Sequence, residues 1–585
     1  MQNADEYITL GLYLGFLIVI GYVFSRLNRN LSDYVRGGGQ GLWWMVGTSS
    51  VMAAISAFTF TGNASAAYDA GPTLLVVYAA NCVGFLVGYF FLAAWFRQTR
   101  AYTLADIIRD RFGVGAEQFN VWSFAFLAPV GAAIQLWALS VFASAVFGFP
   151  LLPTIIIIGL VVTFYSTSGG RWGVMATDFL QSLILVPITL VLAVYSFYHV
   201  GGFSGIAAMF SDPVVGHDFR FVKDPGEFTG DRFTWKWMVA IFLIQLSGFL
   251  SISGAPRYLS VKDGKEGRKS ALLAFILMTV GALVWILPPM VARMTLSGEV
   301  AGVALDNPSE ASYAIAAMHY LPAGLLGIMV VAMFAATMSS MDTGLNMVTG
   351  TLARNFWPWL RRLFNLGEPS AVLELRVCRW ITLFLGMAII AMALMLAMQR
   401  QFQLFDAYFV IATLIGLPVT IPLVAGLFIR RLPFVSYFVI AGLSVLPAAY
   451  SLWDGAVNGN QWTVQDRGLW VIAFGLAGVV ISLGLKRWEH SRSRERIEDL
   501  FQRMRTPVDA EEHGGDGNDL PQLRIMGRMS VAAGLFLLTL VLFPEDFTGR
   551  VAALFVAVFV MGIGVLLLRG ARRAKVRAES GIARD

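Results

Sequence analysis

Charge is what this sequence has least of. Only 14% of its 585 residues are Asp, Glu, Lys or Arg, and 57% are apolar, where an ordinary soluble chain carries about 25% charged residues. Such a composition cannot clothe a soluble globule of this length, so a soluble globular enzyme is excluded. Cysteine is nearly missing as well: Cys82 and Cys378 both fall in or beside apolar windows, which leaves no material for a disulfide framework or a zinc site. The five histidines, His199, His217, His319, His490 and His513, lie in loops or at predicted helix ends, and that argues against an imidazole proton relay through an apolar segment. No Walker loop, kinase signature or nucleophile elbow occurs, and Gly37-Gly38-Gly39 precedes an apolar span as a loop rather than a phosphate cradle. Direct use of ATP has no motif behind it, and the chain reads as a non-enzyme that needs no organic cofactor.

What is present is long apolar runs. The 43 basic and 37 acidic side chains are unevenly spread. The stretch Lys486 to Arg528 alone holds 18 of them in 43 residues, which leaves windows of the roughly 20 apolar residues that a membrane-spanning helix needs. Fifteen such windows can be marked, from 7–25 at the start to 550–568 at the end. Lipid forces every backbone polar group to be satisfied within its own helix, so the expected fold class is all-α, a polytopic bundle of about 15 transmembrane helices. The first run follows Asp5 and Glu6 and lacks a small-residue cleavage site, and it reads as a retained helix rather than a signal peptide. Lys and Arg fall in alternate loops, at 26–36, 97–111, 171, 257–269, 354–379, 430–431, 486–528 and 569–577. Positive residues mark the cytoplasmic side, which puts the N-terminus outside and the C-terminus inside. The formal charge of +6 is explained by these helix ends and the lipid bilayer, and no nucleic acid partner is needed to account for it.

Ionisable groups inside a membrane are costly, so each is a functional candidate. Asp178 lies about 10 Å into its helix from Arg171, and Asp342 about 18 Å from Arg354, at 1.5 Å per residue. Around Asp342, the positions Ala336, Ser339, Ser340 and Thr343 share one helix face by their spacing. Hydroxyls, a small carbonyl-bearing position and a carboxylate offer only oxygen donors, which suits a hard, weakly held cation such as Na⁺. The segment Gly47–Gly71, GTSSVMAAISAFTFTGNASAAYDAG, is too rich in Ser, Thr, Gly and Asn to face lipid. It predicts an unwound helix whose freed carbonyls line a cavity, as secondary transporters build their ion and substrate sites. Gln245, Ser247, Gly248, Ser251, Ser253 and Gly254 interrupt a second span in the same way, and Thr413, Gly416, Pro418, Thr420 and Pro422 give a third that can hinge.

Five pieces resemble the sodium/solute symporter family in the order that family has them: DYVRGGGQGLWWMVGTSSVMAAIS (33–56), YTLADIIRDRFG (102–113), SGGRWGVMATDFLQS (168–182), PRYLSVKDGKEGRKS (256–270) and HYLPAGLLGIMVVAMFAATMSSMDTGLN (319–346). The resemblance runs along most of residues 7–485. It implies a bacterial member with the 5+5 inverted-repeat fold of the leucine-transporter type, with one sodium held by carbonyls of Met52, Ile55 and Ala336 and the hydroxyls of Ser339 and Ser340. It implies a second cation site at Asp178, Ser339, Asp342 and Thr343, where Asp342 replaces the serine or other small residue common in the family. It places the solute between the first, second, sixth and tenth core helices, with Phe58, Thr59, Tyr78, Asn81, Gln245, Ser247 and Tyr408 as candidates. Tyr78 and Ala54 stand where sugar-carrying relatives use an acid and an asparagine, so an organic anion or an amino acid is expected ahead of a sugar.

The domain plan expected from these readings has an extra helix and loop at 1–40, a ten-helix transport core at 41–430 and two further helices at 431–485. A charged cytoplasmic linker at 486–528, two C-terminal helices at 529–569 and a basic tail at 570–585 complete it. The expected function is sodium-coupled symport of a small organic solute by alternating access at the bacterial inner membrane. Its alternatives are proton coupling through Asp178 and Asp342, and a solute sensor that signals through 486–528.

Overall fold

The computed structural model describes residues 41–167, 171–251, 254–322, 325–353, 357, 360–361, 364–365, 371–398, 403–485, 491–508, 519–542 and 547–580. The predicted first span, 7–25, lies outside the described residues. Among them the chain is helical, and the one β-bridge pairs Gly41 with Val261. The first helices are α1 (Trp43–Ala54), α2 (Gly62–Ala70), α3 (Leu75–Val87), α4 (Leu104–Phe112), α5 (Val114–Phe147), α6 (Leu151–Ser166) and α7 (Arg171–His199). After α8 (Gly202–Ser211) come α9 (Trp235–Leu250), α10 (Gly264–Thr295), α11 (Ser312–Tyr320), α12 (Leu325–Thr351) and α13 (Ala371–Ala397). The remainder are α14 (Leu404–Ile411), α15 (Leu417–Phe428), α16 (Ser436–Asn458), α17 (Val464–Gly484), α18 (Ser491–Arg503), α19 (Asp519–Thr539) and α20 (Phe547–Ser580).

Ten helical stretches among the described residues are long and apolar enough to cross a membrane, and three shorter ones are apolar. The expected count of about fifteen is not confirmed among the described residues, which leave out the window 7–25. The window read as 42–68 breaks at Ile55, leaving a 12-residue α1, and its second half runs on through α3 into one stretch, Ala57–Gln98.

Two packed groups make the core. The helices α5, α6, α12 and α13 contact one another, α13 lying on both α5 and α6. Against them stand α1, α3, α9 and α10, with α10 packed on α1 and α3, while α7 touches α1, α10 and α12 and so bridges the groups. The interrupted helices open the two halves. The first is α1/α2; the sixth is α9, which ends at Leu250 where Ser251 turns extended (φ −72°, ψ 162°), and resumes as the single turn Ala255–Tyr258. The tenth, α14/α15, is joined by a π-helical turn, Ala412–Gly416, a geometry common where a helix must flex. Pro418 and Pro422 then withhold two backbone donors from α15.

Helix ends are tied by side chains because lipid offers no water to do it. Thr103 and Asp106 form a capping box at α4, and Asp263 caps α10. At the end of α15, the buried Arg111 guanidinium donates to the carbonyls of Gly426 (2.8 Å), Ile429 (3.1 Å) and Leu432 (3.0 Å). These basic groups mark one end of the bundle.

At that end α18 is docked. Its Ile497, Leu500 and Phe501, with Met504 just beyond, are buried with Ile107, Ile108 and Phe112 of α4. Arg503 pairs with Asp110 at 2.7 Å and donates to the Thr99 carbonyl at 2.9 Å. The C-terminal hairpin α19/α20 rests on α7, and glycines let its backbones touch. A Cβ on Gly534 would stand 2.8 Å from Met561 N, and one on Gly564 2.7 Å from Val531 N. Gly534→Leu should therefore overpack the hairpin and cost about 1–3 kcal/mol. A thermal midpoint of the purified protein that does not fall would contradict this close packing.

Candidate functional site

α1 ends because Ile55 (φ −115°, ψ 139°) and Ser56 (φ −150°, ψ −177°) are extended, and the chain restarts in a tight 3₁₀ turn, Ala57–Phe60. Ser56 and Thr59 cap that turn reciprocally. The interruption frees carbonyl oxygens at the end of α1 just where α12 passes. The Ser340 hydroxyl lies 2.8 Å from Ile55 O, 3.2 Å from Ala336 O and 3.4 Å from Met52 O. Thr337, one turn away, takes the Ala57 N–H on its hydroxyl at 3.0 Å. A hydroxyl has one proton, so Ser340 can satisfy one of three converging carbonyls. The surplus is a cluster of oxygen lone pairs in a buried place, which is the chemistry of a hard monovalent cation site. The Ser339 side chain lies outside the described residues.

Of the second cation set, Asp178 is fully buried on α7 and accepts a hydrogen bond from the Ser49 hydroxyl of α1. The same Ser49 offers its carbonyl to Arg257 Nε at 3.3 Å, and Arg257 stands within electrostatic reach of Asp178. The buried carboxylate and the half-buried guanidinium thus offset one another beside the first broken helix. The side chains of Asp342 and Thr343 lie outside the described residues; their backbones continue α12.

Beside this oxygen cluster is a cavity of about 430 Å³. Phe58, Thr59, Tyr78 and Asn81 line it from the first half of the chain, and Gln245, Ser247 and Tyr408 from the second, so all seven solute candidates face one space. Gln245 Nε2 donates to Asn81 Oδ1 at 2.9 Å across the gap between α9 and α3. The Phe58 and Tyr408 rings lie 5.2 Å apart. From there the cavity runs past Leu92, Arg257, Tyr258 and Thr420, toward the end of the bundle that carries Arg97, Arg111 and Arg430.

The opposite end is shut. Phe405 lies 6.5 Å from Phe58 and 5.9 Å from Trp237, ring centre to ring centre. Above this stack Arg232 pairs with Asp406 at 3.5 Å and donates to Gln403 Oε1 at 2.8 Å. The buried Glu310 accepts the Leu404 N–H at 2.8 Å, holding the short Pro308–Ala311 turn onto the start of α14. Ser65 of α2 meets Ser309 of that turn at 2.8 Å. Lys223, from the α8–α9 connection, donates to Ala70 O (3.1 Å) and Thr73 Oγ1 (3.0 Å), and burial pushes its ammonium down to about 8.

Sequence reasoning passed over three of these residues. Asn63 and Gln135 both line the cavity, and Gln135 is an amide in the otherwise apolar window 119–148, which is itself a signal in a membrane. Glu310 sits in a loop, where a carboxylate is unremarkable until the fold buries it.

The geometry has counterparts among known proteins. The sodium:solute symporter family profile matches residues 34–434. The sodium/sialic acid symporter NanT of Aliivibrio fischeri is 23% identical over 438 residues, covering 73% of this chain and 83% of that protein. The sodium/sialic acid symporter SiaT of Proteus mirabilis is 24% identical over 467 residues, covering 76% and 89%. The sodium/glucose cotransporter of Vibrio parahaemolyticus is 23% identical over 416 residues, covering 65% and 75%. Among solved structures, the substrate-bound outward-open state of a Na⁺-coupled sialic acid symporter superposes with a TM-score of 0.69 at 19% identity, over 84% of this chain and 99% of that one. At that identity the likeness is one of fold.

Proposed function

Since this chain belongs to the sodium:solute symporter family, and is therefore a multi-pass, sodium-coupled solute symporter rather than an enzyme, we propose that Na⁺ is held by the carbonyls of Met52, Ile55 and Ala336 with the hydroxyls of Ser339 and Ser340. The observation that carries this is the convergence of three main-chain carbonyls on the Ser340 hydroxyl, at 2.8 to 3.4 Å. An ion there joins α1 to α12, one helix from each packed group, so binding it fixes how the groups stand to each other. Asp178, Ser339, Asp342 and Thr343 form the second cation site in this reading, with the Asp178 carboxylate supported from α1 by Ser49.

The solute is small and organic and sits among Phe58, Tyr78, Asn81, Gln245 and Tyr408. The basic end of the bundle faces the cytoplasm of a bacterial inner membrane, so a cavity that runs toward Arg257 and is shut by Phe405 and Trp237 belongs to an inward-facing state. Closure at the inner end and opening at the outer one return it to the state that binds the next solute and so complete alternating access. A membrane potential of 100 mV supplies about 2.3 kcal/mol per Na⁺, and a comparable sodium concentration gradient adds to it, so one or two ions support roughly hundredfold or greater accumulation.

The test is uptake into proteoliposomes of purified protein, with ¹⁴C-labelled solutes screened under an inward sodium gradient. Uptake should collapse when the gradient is dissipated or potassium replaces sodium. Accumulation that follows a pH gradient in sodium-free medium would replace sodium by protons in this scheme.

A further inference from the structure

The helix α18 lies beyond residues 34–434, the part of the chain that the family profile matches, yet it is seated on the rim of the cavity's inner mouth. Ile497, Leu500, Phe501 and Met504 belong to one buried cluster with Leu92, from the continuation of α3, Tyr258, from the resumed sixth helix, and Leu423 and Leu427 of α15. Leu92 and Tyr258 also line the cavity, so the seat of α18 and the cavity wall share side chains. Polar contacts tie α18 to both sides of the mouth. On the α3 side, Arg503 donates to the Thr99 carbonyl at 2.9 Å and pairs with Asp110 of α4 at 2.7 Å. Just past α18, the Pro507 carbonyl accepts from Arg100 at 3.1 Å. On the α15 side, Glu498 stands 3.8 Å from Arg430. The Phe501 ring centre lies 5.8 Å from the Arg111 guanidinium, the group that caps the last carbonyls of α15.

We infer that α18 is a strap built into the chain, an autoinhibitory contact that holds the inner mouth open and must yield before it closes. This rests on the inward-facing reading above and adds to it what resists closure. For the mouth to close, the side that carries Leu92 and Tyr258 has to approach α15, which lines the cavity with Leu417 and Thr420. A helix fastened to both sides fits one separation of them, because interdigitated side chains switch between packings and do not stretch. Docking of α18 therefore has a different free energy in the open and closed arrangements, which is the condition for a contact to bias them. The strap also grips where it has most effect. α15 follows the π-helical turn Ala412–Gly416 and contains Pro418 and Pro422, so it is hinged at one end and held by Arg111 and Arg430 at the other. The ion pairs of α18 are half exposed and individually weak, which suits a contact that is made and broken in each transport cycle.

Two cysteine reporters read the two ends of the cavity in full-length purified protein carrying Cys82→Ser and Cys378→Ala. Thr420→Cys sits in the inner mouth, and Ser65→Cys replaces a buried hydroxyl at the shut outer end. Alkylation by a water-soluble maleimide is timed with α18 intact and with Leu500→Glu and Arg503→Glu together. That pair puts a charge on the buried face of α18 and a like charge opposite Asp110, and so drives the helix off its seat. Undocking should slow labelling at position 420 and speed it at position 65, each by about threefold or more. Faster labelling at both positions would mean a loosened fold and overturns the strap, as does the reverse pattern, faster at 420 and slower at 65. Unchanged labelling at both, beside amides of 493–504 that have lost protection from hydrogen exchange, makes α18 a mere anchor and also overturns it. Should the cysteine-substituted protein fail to fold, exchange decides in the otherwise unmodified chain. At constant pH the amides of 404–411 should exchange faster once α18 is undocked, and unaltered exchange there overturns the strap. With α18 intact, a position 420 that resists labelling beside a reactive position 65 strikes at the inward-facing reading itself, and the strap falls with it.

Discussion

Ser340→Ala is expected to raise the sodium concentration for half-maximal uptake by roughly ten- to a hundredfold, the range that follows from losing one polar contact to a charged group, about 1.5–3 kcal/mol. The hydroxyl touches the carbonyls of Met52, Ile55 and Ala336, so its loss removes an oxygen donor to the ion and also the one hydroxyl proton that these carbonyls share when the ion departs, although Met52 O keeps the Ile55 N–H at 3.3 Å. Both effects act on the ion-bound and ion-free forms of one place, and only the first weakens sodium directly. Ser340→Thr keeps the hydroxyl and adds a methyl group; because Ser340 is 8% exposed and meets Met52 and Ile55, both nearly fully buried, overpacking costs it something, but it should stay nearer the parent than alanine does. Sodium titration of the thermal midpoint reads the same quantity without any solute. An alanine variant with unaltered sodium dependence in both assays would remove Ser340 from the ion's coordination and with it the central observation of the proposed function.

The break in α1 was legible because polarity in a lipid-facing window has few explanations: the Ser, Thr, Gly and Asn of 47–71 can be accommodated only where backbone turns inward. The face shared by Ala336 and Ser340 could be read from helical spacing alone. That this face meets Met52 and Ile55 could not be derived from spacing, since it depends on how α12 crosses α1, and it came from family resemblance. Gln135 was legible in principle and overlooked, being one amide among apolar neighbours. The docked α18 was harder. Its charges suggest a solvated segment, yet Ile497, Leu500, Phe501 and Met504 recur at 0, 3, 4 and 7, the stripe of a helix with a partner. Glu310 was not legible at all, because nothing local distinguishes a loop glutamate that ends up buried from one that stays in water.

That glutamate gives the second large effect. Glu310 is buried at the shut end of the bundle, and burial pushes its carboxyl up from 4.5 to about 7, against the hydrogen bond from Leu404 N–H, which favours the charged form. Asp406, Asp306 and Asp69 face it and push in the same direction as burial; Asp406 is itself paired with Arg232. Opening this end would return Glu310 to water, where a carboxyl titrates near its ordinary value. Closure therefore takes up a proton between about pH 4.5 and 7. The closed arrangement has its full proton-linked advantage below about pH 4.5, and loses it as the pH rises through about 7, the sign for a group whose buried pKa is raised. Between about pH 5.5 and pH 8 the ratio of closed to open should fall by up to roughly thirtyfold. Hydrogen exchange, corrected for the intrinsic effect of pH, reads this directly in the amides of 309–311 and 404–411, which should be better protected at the lower pH. Glu310→Gln keeps a carbonyl oxygen for the Leu404 N–H and cannot ionise. It should hold that protection high and level across the same range. A glutamine variant whose protection still falls with pH as in the parent would take the effect away from Glu310 and leave it a purely structural cap.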